Sequence, residues 1–289
     1  MSQIIPQIGV ESAPSDILTY AMVKFLYQQT SRATRESIVT LHSLKGAPSG
    51  GTLATIFNIF DTYTLTQITS AAQPGSMSAL PIATLPRSGG LQSTLLGVRT
   101  VPDLGTLVNS IQAAADGPVV HRSWSLYRSA AAQCEQQANA YGATFNFSCY
   151  MNARNVFTGA LMTLALALSS VFLLIPPVRW VLAKLVTQAG SGASEEESRH
   201  DFLEYRGVAV PANGQDHQRA FGKLRFDGSA YHVTAIFMVE AAATLLFDGN
   251  DVPARKMHGG LLTPATLGDA YVERLRRAGL IVETRMLRK

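Results

Sequence analysis

The sequence predicts an α+β fold that carries one long apolar helix. Segments with the two-residue alternation of strands, such as 144–150, stand between capped helical patterns, and residues 156–175 carry no charge. Charged residues make up 15% of the chain and hydrophobic residues 47%, whereas an average soluble domain has about 25% charged residues. We therefore expect part of the surface to contact something apolar besides water.

The N-terminal segment has the pattern of half an α/β unit. Residues 3–8 predict a short buried strand, Gly9 ends it, and Ser12 or Ser15 can cap a helix over 15–28 with Pro14 in its first turn. No partner strand precedes this unit. Neither the basic nor the apolar region of a signal peptide follows Met1, and we expect the chain to begin inside a fold.

The segments up to residue 150 alternate in type. Residues 36–44 predict a strand, and the apolar spacing after a Gly-Gly loop predicts a helix over 52–67. Residues 71–103 are rich in Pro, Gly and Ser and predict a long loop. The remaining predictions are a helix over 103–114, an extended segment over 119–127 and a strand over 144–150.

The uncharged stretch 156–175 is the strongest single signal. Pro176-Pro177 and a segment over 178–186 follow it. We expect 156–186 to insert into one leaflet or to lie in the membrane interface without crossing the bilayer, because positive residues flank both ends and the prolines turn the chain. A buried core helix or a dimer-interface helix is the alternative. The expected lipid contacts are Phe172, Leu173, Leu174, Trp180 and Lys184.

The C-terminal third contains further strands and helices. A linker over 189–193 precedes Ser194 and Glu197, which have the spacing of a capping box. The predicted strands cover 202–210, 220–226 and 280–284, and the predicted helices cover 232–247 and 266–277.

Several chemistries are not expected. Cys134 and Cys149 are the only cysteines, and the six histidines show no metal-ligand spacing, so we predict idle thiols and no metal site. The net charge of +4 includes a basic tail without interleaved aromatic residues, which a solvated helix face or an anionic lipid surface explains better than nucleic acid. No strand is followed by G-x-G-x-x-G, so no dinucleotide pyrophosphate site is predicted.

Two strand-to-helix turns are candidate binding sites. The first is formed by Ser49, Gly50, Gly51 and Thr52, which lead into a helix start where free N–H groups favour an anionic or carbonyl oxygen. An ordinary turn and simple helix capping are the alternatives. The second turn contains Gly9, Glu11, Ser12, Ser15 and Asp16.

Together these segments resemble one known family. Residues 4–16 are similar to the stretch I-I-P-x-x-G-F-D-S-x-P-S-D that ends the nucleotide-binding half of saccharopine-dehydrogenase-like oxidoreductases, although Val10 and Glu11 replace Phe and Asp. Residues 49–52 are similar to the S-G-G-T loop of that family. Later similar segments, in the family's order, are 194–197, 234–235, 259–265 and 273–275. The resemblance spans nearly the whole chain.

The resemblance implies a domain organisation. In the family a Rossmann domain accompanies an α+β domain, whose mixed sheet has helices on one face and presents the other face to the nicotinamide. The implied divisions are 1–30 as a remnant of the nucleotide-binding domain, 31–155 and 187–289 as two parts of the α+β domain, and 156–186 as the membrane-associated segment.

The resemblance also implies a function. The chain would be the substrate side of an NADP(H)-dependent oxidoreductase similar to trans-acting enoyl reductases of lipid or glycolipid metabolism, with the NADP(H) site outside this chain. Its partners would be a lipid-like substrate, a membrane or lipid-droplet surface and a second copy of the chain. Its location would be an intracellular membrane, such as that of lipid droplets, mitochondria or another organelle.

Alternatives to this function stay open, and no catalytic residue is assigned. The chain could be a non-catalytic membrane-binding or interaction module that kept the fold without the nucleotide-binding half. It could also be part of a longer, complete enzyme.

Overall fold

A computed structural model describes residues 2–46, 50–82, 96–185, 194–212, 218–249, 252–257 and 259–287. These residues form nine β-strands and eleven α-helices, which confirms the α+β prediction. The strands are β1 (Gln3–Ile4), β2 (Thr34–Lys45), β3 (Val98–Val101), β4 (Gly105–Asn109), β5 (Asn146–Ala153), β6 (Phe202–Pro211), β7 (Arg219–Asp227), β8 (Gly260–Leu261) and β9 (Ile281–Leu287). The helices are α1 (Ala13–Thr30), α2 (Gly50–Thr62), α3 (Leu65–Ala71), α4 (Ala113–Ser129), α5 (Glu135–Tyr141), α6 (Val156–Leu173), α7 (Pro176–Leu185), α8 (Glu195–Ser198), α9 (Ala230–Phe247), α10 (Pro253–Lys256) and α11 (Gly268–Arg277), with a 3-10 turn at Pro264–Leu267.

A seven-stranded mixed sheet forms the centre of the fold. Its strand order is β3-β4-β5-β2-β6-β7-β9, and β2 pairs with β5 in parallel while the other neighbours are antiparallel. A separate two-stranded parallel sheet pairs β1 with β8. The expected confinement of the helices to one face, the Rossmann remnant and the domain boundaries stay predictions.

Helix α1 approaches the sheet closely at two glycines. Gly207 of β6 and Gly222 of β7 are paired in register, and a Cβ on Gly222 would lie 2.5 Å from Met22 Cγ and 2.8 Å from Leu18 Cδ1. The missing side chains therefore leave the groove in which Met22 is fully buried. This packing fixes the position of the start of α1, where one candidate turn lies.

Two predicted elements before residue 130 are wrong in type. The helix predicted over 103–114 is largely the β3–β4 hairpin, because Asp103 and Gly105 adopt φ angles of 75° and 85° that a helix does not allow. The extended segment predicted over 119–127 lies inside α4. Its Pro118 and neighbouring valines favour an extended chain locally, but burial of Val120 and Trp124 in the core outweighs that preference.

Other predicted elements are confirmed in type and differ in length. The helix predicted over 52–67 ends at Thr62, and a capping box between Thr64 and Gln67 starts α3. The N-terminal strand is limited to β1, and β3 begins inside the loop predicted over 71–103. The capping box of Ser194 and Glu197 is present.

The apolar helix α6 begins on the sheet and then leaves it. Gly159 lies against Val98, Val108 and Ala153, and it is the buried residue of this helix. From residue 164 to residue 172 every side chain except that of Leu166 is exposed. The second half of α6 therefore projects from the sheet, and α7 folds back from it.

Candidate functional site

The starts of three helices meet around one tyrosine of the sheet. Tyr205 of β6 donates its hydroxyl to the carbonyl oxygen of Val10 at 3.3 Å, immediately before α1. Gln112, at the start of α4, donates to the same hydroxyl at 3.1 Å. The backbone N–H of Val10 donates to Thr234 Oγ1 in the first turns of α9 at 3.3 Å. Helix starts carry partial positive charge, so this region favours an oxygen-rich or anionic group.

A fourth helix start reaches the same part of α9. Thr52 Oγ1 in the first turn of α2 lies 3.5 Å from Tyr231 Oη. Tyr231 and Thr234 are three positions apart on α9 and so lie on the same side of that helix, about 4.5 Å apart along its axis. The two turns that the sequence singled out therefore both contact the beginning of α9.

The glycines of the first turn belong to the helix that follows it. Gly50 and Gly51 begin α2 and have helical backbone, so Gly51 does not adopt the positive φ at which glycine would be required. Ser49 lies outside the described residues. The described part of the predicted loop is the start of α2, where the helix dipole places partial positive charge that favours a ligand oxygen.

The second turn is closed by backbone hydrogen bonds. Ser12 occupies the N-cap of α1, but its hydroxyl donates to Gln7 Oε1 at 2.9 Å and does not cap the helix. The N–H of Ala13 donates to the carbonyl oxygen of Gly9 at 3.0 Å. Glu11 is exposed. The carboxylate of Glu11 therefore faces solvent, whereas the other groups of this turn named above form hydrogen bonds within it.

Asp16 is fully buried below this turn. Its Oδ1 accepts from Ser123 Oγ at 2.6 Å and its Oδ2 accepts the N–H of Ala265 at 2.8 Å. Removal from water raises the pKa of Asp16 from 3.8 to about 7, and the hydrogen bonds from Ser123 and Ala265 oppose only part of that rise. Asp16 therefore joins α1, α4 and the 3-10 turn, which is more than the helix-capping role that the sequence suggested.

A second buried carboxyl, Asp116 of α4, faces the start of α1. Ser15 Oγ donates to its Oδ2 at 2.7 Å, so Ser15 binds a neighbouring helix and is not the predicted cap of α1. The Oδ1 atom of Asp116 is buried without a hydrogen-bond partner in the described part of the chain. Burial raises the pKa of Asp116 to about 7 as well, against the opposing hydrogen bond from Ser15. Burial likewise raises the pKa of the nearby Cys149 thiol well above its usual range.

Asp116 was missed because the surrounding sequence was assigned to the wrong element. Once α4 is recognised as a helix over Ala113–Ser129, Asp116 lies in its first turn and faces inward with Val120 and Trp124. A carboxyl on the apolar side of a helical pattern is the signal that could have found it. A carboxyl whose pKa is raised to about 7 can hold a proton near neutral pH and act as an acid, and the nearby helix starts can attract a carbonyl oxygen.

The predicted lipid contacts lie on α6 and α7 and on the residue between them. Phe172 is 51% exposed, Leu174 42% and Trp180 62%. Leu173 is half-buried, and its carbonyl oxygen accepts from Arg179 Nη1 at 2.7 Å. The Lys184 Nζ atom lies 3.5 Å from the centre of the Trp180 ring. In the described chain, α6 and α9 are both long and apolar enough to cross a membrane by length and composition.

Comparisons with known proteins indicate a class of oxidoreductase. The chain is similar to two proteins from two strains of Mycobacterium tuberculosis, each named "Putative trans-acting enoyl reductase". Each is 24% identical to it over 308 aligned residues, which cover 99% of this chain and 68% of the relative. No family model matches the chain, and no solved structure matches it. The similarity suggests an enoyl reductase-like, oxidoreductase-like role and, with it, a nicotinamide cofactor.

Proposed function

We propose that the chain provides the substrate side of an enoyl reductase-like oxidoreductase that uses NADP(H) and acts on a lipid-like enoyl compound, as in lipid or glycolipid metabolism. The single observation that carries this proposal is the similarity to trans-acting enoyl reductases over 99% of the chain. The meeting of helix starts above two buried carboxyls supports it, because an enoyl thioester offers a carbonyl oxygen and its reduction requires a proton.

The described residues do not fit the pyrophosphate of NADP(H). That group is held by glycines with G-x-G-x-x-G spacing between a strand and a helix start. Before α1 the strand is only β1 and the turn 9–12 contains one glycine, and between β2 and α2 the glycines at 46, 50 and 51 do not have that spacing. We therefore propose that NADP(H) binds outside the described residues.

The residues of this chain would bind and orient the substrate. The partial positive charge at the start of α2 would attract the thioester carbonyl oxygen, and Tyr231 beside Thr52 would limit its approach. Asp16 and Asp116 would keep a proton inside the fold near neutral pH, below the helix starts. Orientation of this kind can provide much of the rate of a two-substrate reaction.

A ligand titration tests the proposal with the chain as it is. The purified protein is titrated with the pantetheine thioester of trans-2-hexadecenoic acid, and binding is followed by calorimetry. We expect saturable binding that weakens several-fold in Tyr231→Ala and is unchanged in Glu273→Ala, an exposed control position. Absence of binding to the wild-type chain would overturn the proposal.

A second candidate function is a non-catalytic module that binds a membrane or lipid-droplet surface. The observation that favours it is the projecting, exposed second half of α6. Under either function we propose an intracellular membrane location. NADPH deuterated at the transferable position and the enoyl thioester are incubated with a source-cell lysate depleted of this protein, with and without the purified chain. Addition of the chain increases the deuterium in the product only if the chain serves a reductase.

A further inference from the structure

Helix α2 has a composition that does not suit a helix in water. Asp61 is its only charged residue, and Ile56 and Ile59 are each 37% exposed. Its main contact in the described structure is α7, which itself folds back from the projecting end of α6. Thus α2, α6 and α7 form an apolar helical unit at the side of the sheet.

One arginine holds the three helices of this unit together. Arg179 of α7 donates through Nε to Asp61 Oδ1 at 3.0 Å and through Nη2 to the same oxygen at 2.5 Å. Its Nη1 donates to the carbonyl oxygen of Leu173, at the end of α6, at 2.7 Å. Arg179 is only 8% exposed, although the same unit carries exposed large side chains such as Phe172 and Trp180. The ion pair therefore neutralises the only charge of α2 and satisfies a free carbonyl of α6.

The exposed apolar side chains fit a lipid phase better than a flat protein partner. A helix that docks on another protein presents one apolar stripe, whereas from residue 164 to residue 172 α6 exposes uncharged, mostly apolar side chains at every position except Leu166. Trp180 and Lys184 lie on α7 with the ammonium over the indole ring. This pair suits the level of lipid headgroups, where the ring stays partly apolar and the lysine extends to water.

We propose that α2, joined to α6 and α7 through the Arg179–Asp61 pair, is part of the lipid-contacting surface, so that a ligand enters the candidate site with its acyl chain still in the lipid phase. The start of α2 lies at Tyr231 in the candidate site, and its flank carries Ile56 and Ile59. One helix therefore connects the site to the lipid surface. The proposal rests on the proposed function only for the chemistry of the ligand.

Fluorescent labelling of introduced cysteines tests the surface itself. Ile59→Cys in α2, Leu168→Cys in α6 and Glu273→Cys in α11 are each made in a Cys134→Ser background, in which the remaining Cys149 is buried, and labelled with an environment-sensitive dye. The full chain is mixed with vesicles of phosphatidylcholine and phosphatidylserine, with and without doxyl-labelled lipid. We expect several-fold quenching at positions 59 and 168 and none at position 273.

The outcomes separate this inference from the proposed function. Quenching at 168 without quenching at 59 would overturn the role of α2 and leave the enoyl-binding result untouched. Equal quenching at all three positions would indicate adsorption without a specific surface and would also overturn it. A blue shift at 59 without vesicles, together with the mass of a dimer, would assign the surface to a second copy.

Variants of the ion pair test the connection between the helices. Arg179→Leu leaves Asp61 unpaired, so we expect the label at 59 to lose most of its quenching while the label at 168 keeps it. The double variant Arg179→Leu with Asp61→Leu removes both charges and should restore quenching at 59. If the single variant keeps full quenching at both positions, the ion pair does not position α2 and the proposal fails.

Discussion

Replacing Asp116 by asparagine should remove part of the pH dependence of folding. In the folded protein the pKa of this carboxyl is raised to about 7 by burial, whereas in the unfolded chain it is about 3.9. A carboxyl whose pKa is higher in the folded protein than in the unfolded chain stabilises the fold. This stabilisation is complete at pH values below the pKa of the unfolded chain. That contribution is lost as the pH rises through the folded value.

The expected magnitude follows from these two values. Between about pH 5 and pH 8 the free energy of unfolding should fall by about 3 kcal/mol for one such carboxyl, because the folded protein keeps this proton up to about pH 7 whereas the unfolded chain has already lost it. Asp16 has a similar pKa, which the charge of Asp116 helps to raise, so the two titrate as a pair. The wild type should therefore lose stability from both carboxyls, and Asp116→Asn should lose roughly half as much.

Urea unfolding at a series of pH values, followed by circular dichroism, measures this difference. Ser15 can still donate to the asparagine carbonyl oxygen, so the geometry at α1 is kept. Glu273→Gln, at an exposed position of α11, is the matched control and should keep the wild-type pH dependence. Equal pH slopes for the wild type and Asp116→Asn would refute the inference that this carboxyl holds its proton near neutral pH.

Three further predictions follow from the fold and the site. Gly222→Ala places a Cβ against Met22 and should destabilise the fold by about 1–3 kcal/mol in urea unfolding; an unchanged midpoint would mean that α1 can shift without cost. Gly51→Ala should leave the fold intact or raise its melting temperature slightly, because Gly51 has helical backbone and alanine favours a helix by up to about 1 kcal/mol. Calorimetric titration of the chain with NADPH should show no saturable heat, and a micromolar dissociation constant would contradict the absence of a pyrophosphate site.

Patterns that depend on nearby residues predicted the structure well. The alternation around Phe147 and Cys149 gave β5, the uncharged stretch gave α6, and the spacing of Ser194 and Glu197 gave a capping box. These elements need only local periodicity and local hydrogen bonds, which a sequence displays directly.

Features that depend on distant residues were not visible in the sequence. The hairpin at Asp103 has apolar spacing that also fits a helix, and α4 forms despite Pro118 because its apolar side is buried by the sheet. Asp16 and Asp116 are far apart along the chain, and only the packing of α1 on α4 brings both into one buried group. The sequence predicted the candidate turns and included Asp16, but it did not predict the buried carboxyl of Asp116.

The order in which the central strands are synthesised has a consequence for biogenesis. Strand β2 ends at Lys45, and its antiparallel neighbour β6 does not begin until Phe202. At about 5–20 residues per second, β2 would wait roughly 10–30 s for that partner. Helix α6 leaves the ribosome during this interval, before the sheet can close. An apolar helix at that stage is open to lipid or to a chaperone, so the membrane contact proposed for α6 would precede completion of the sheet.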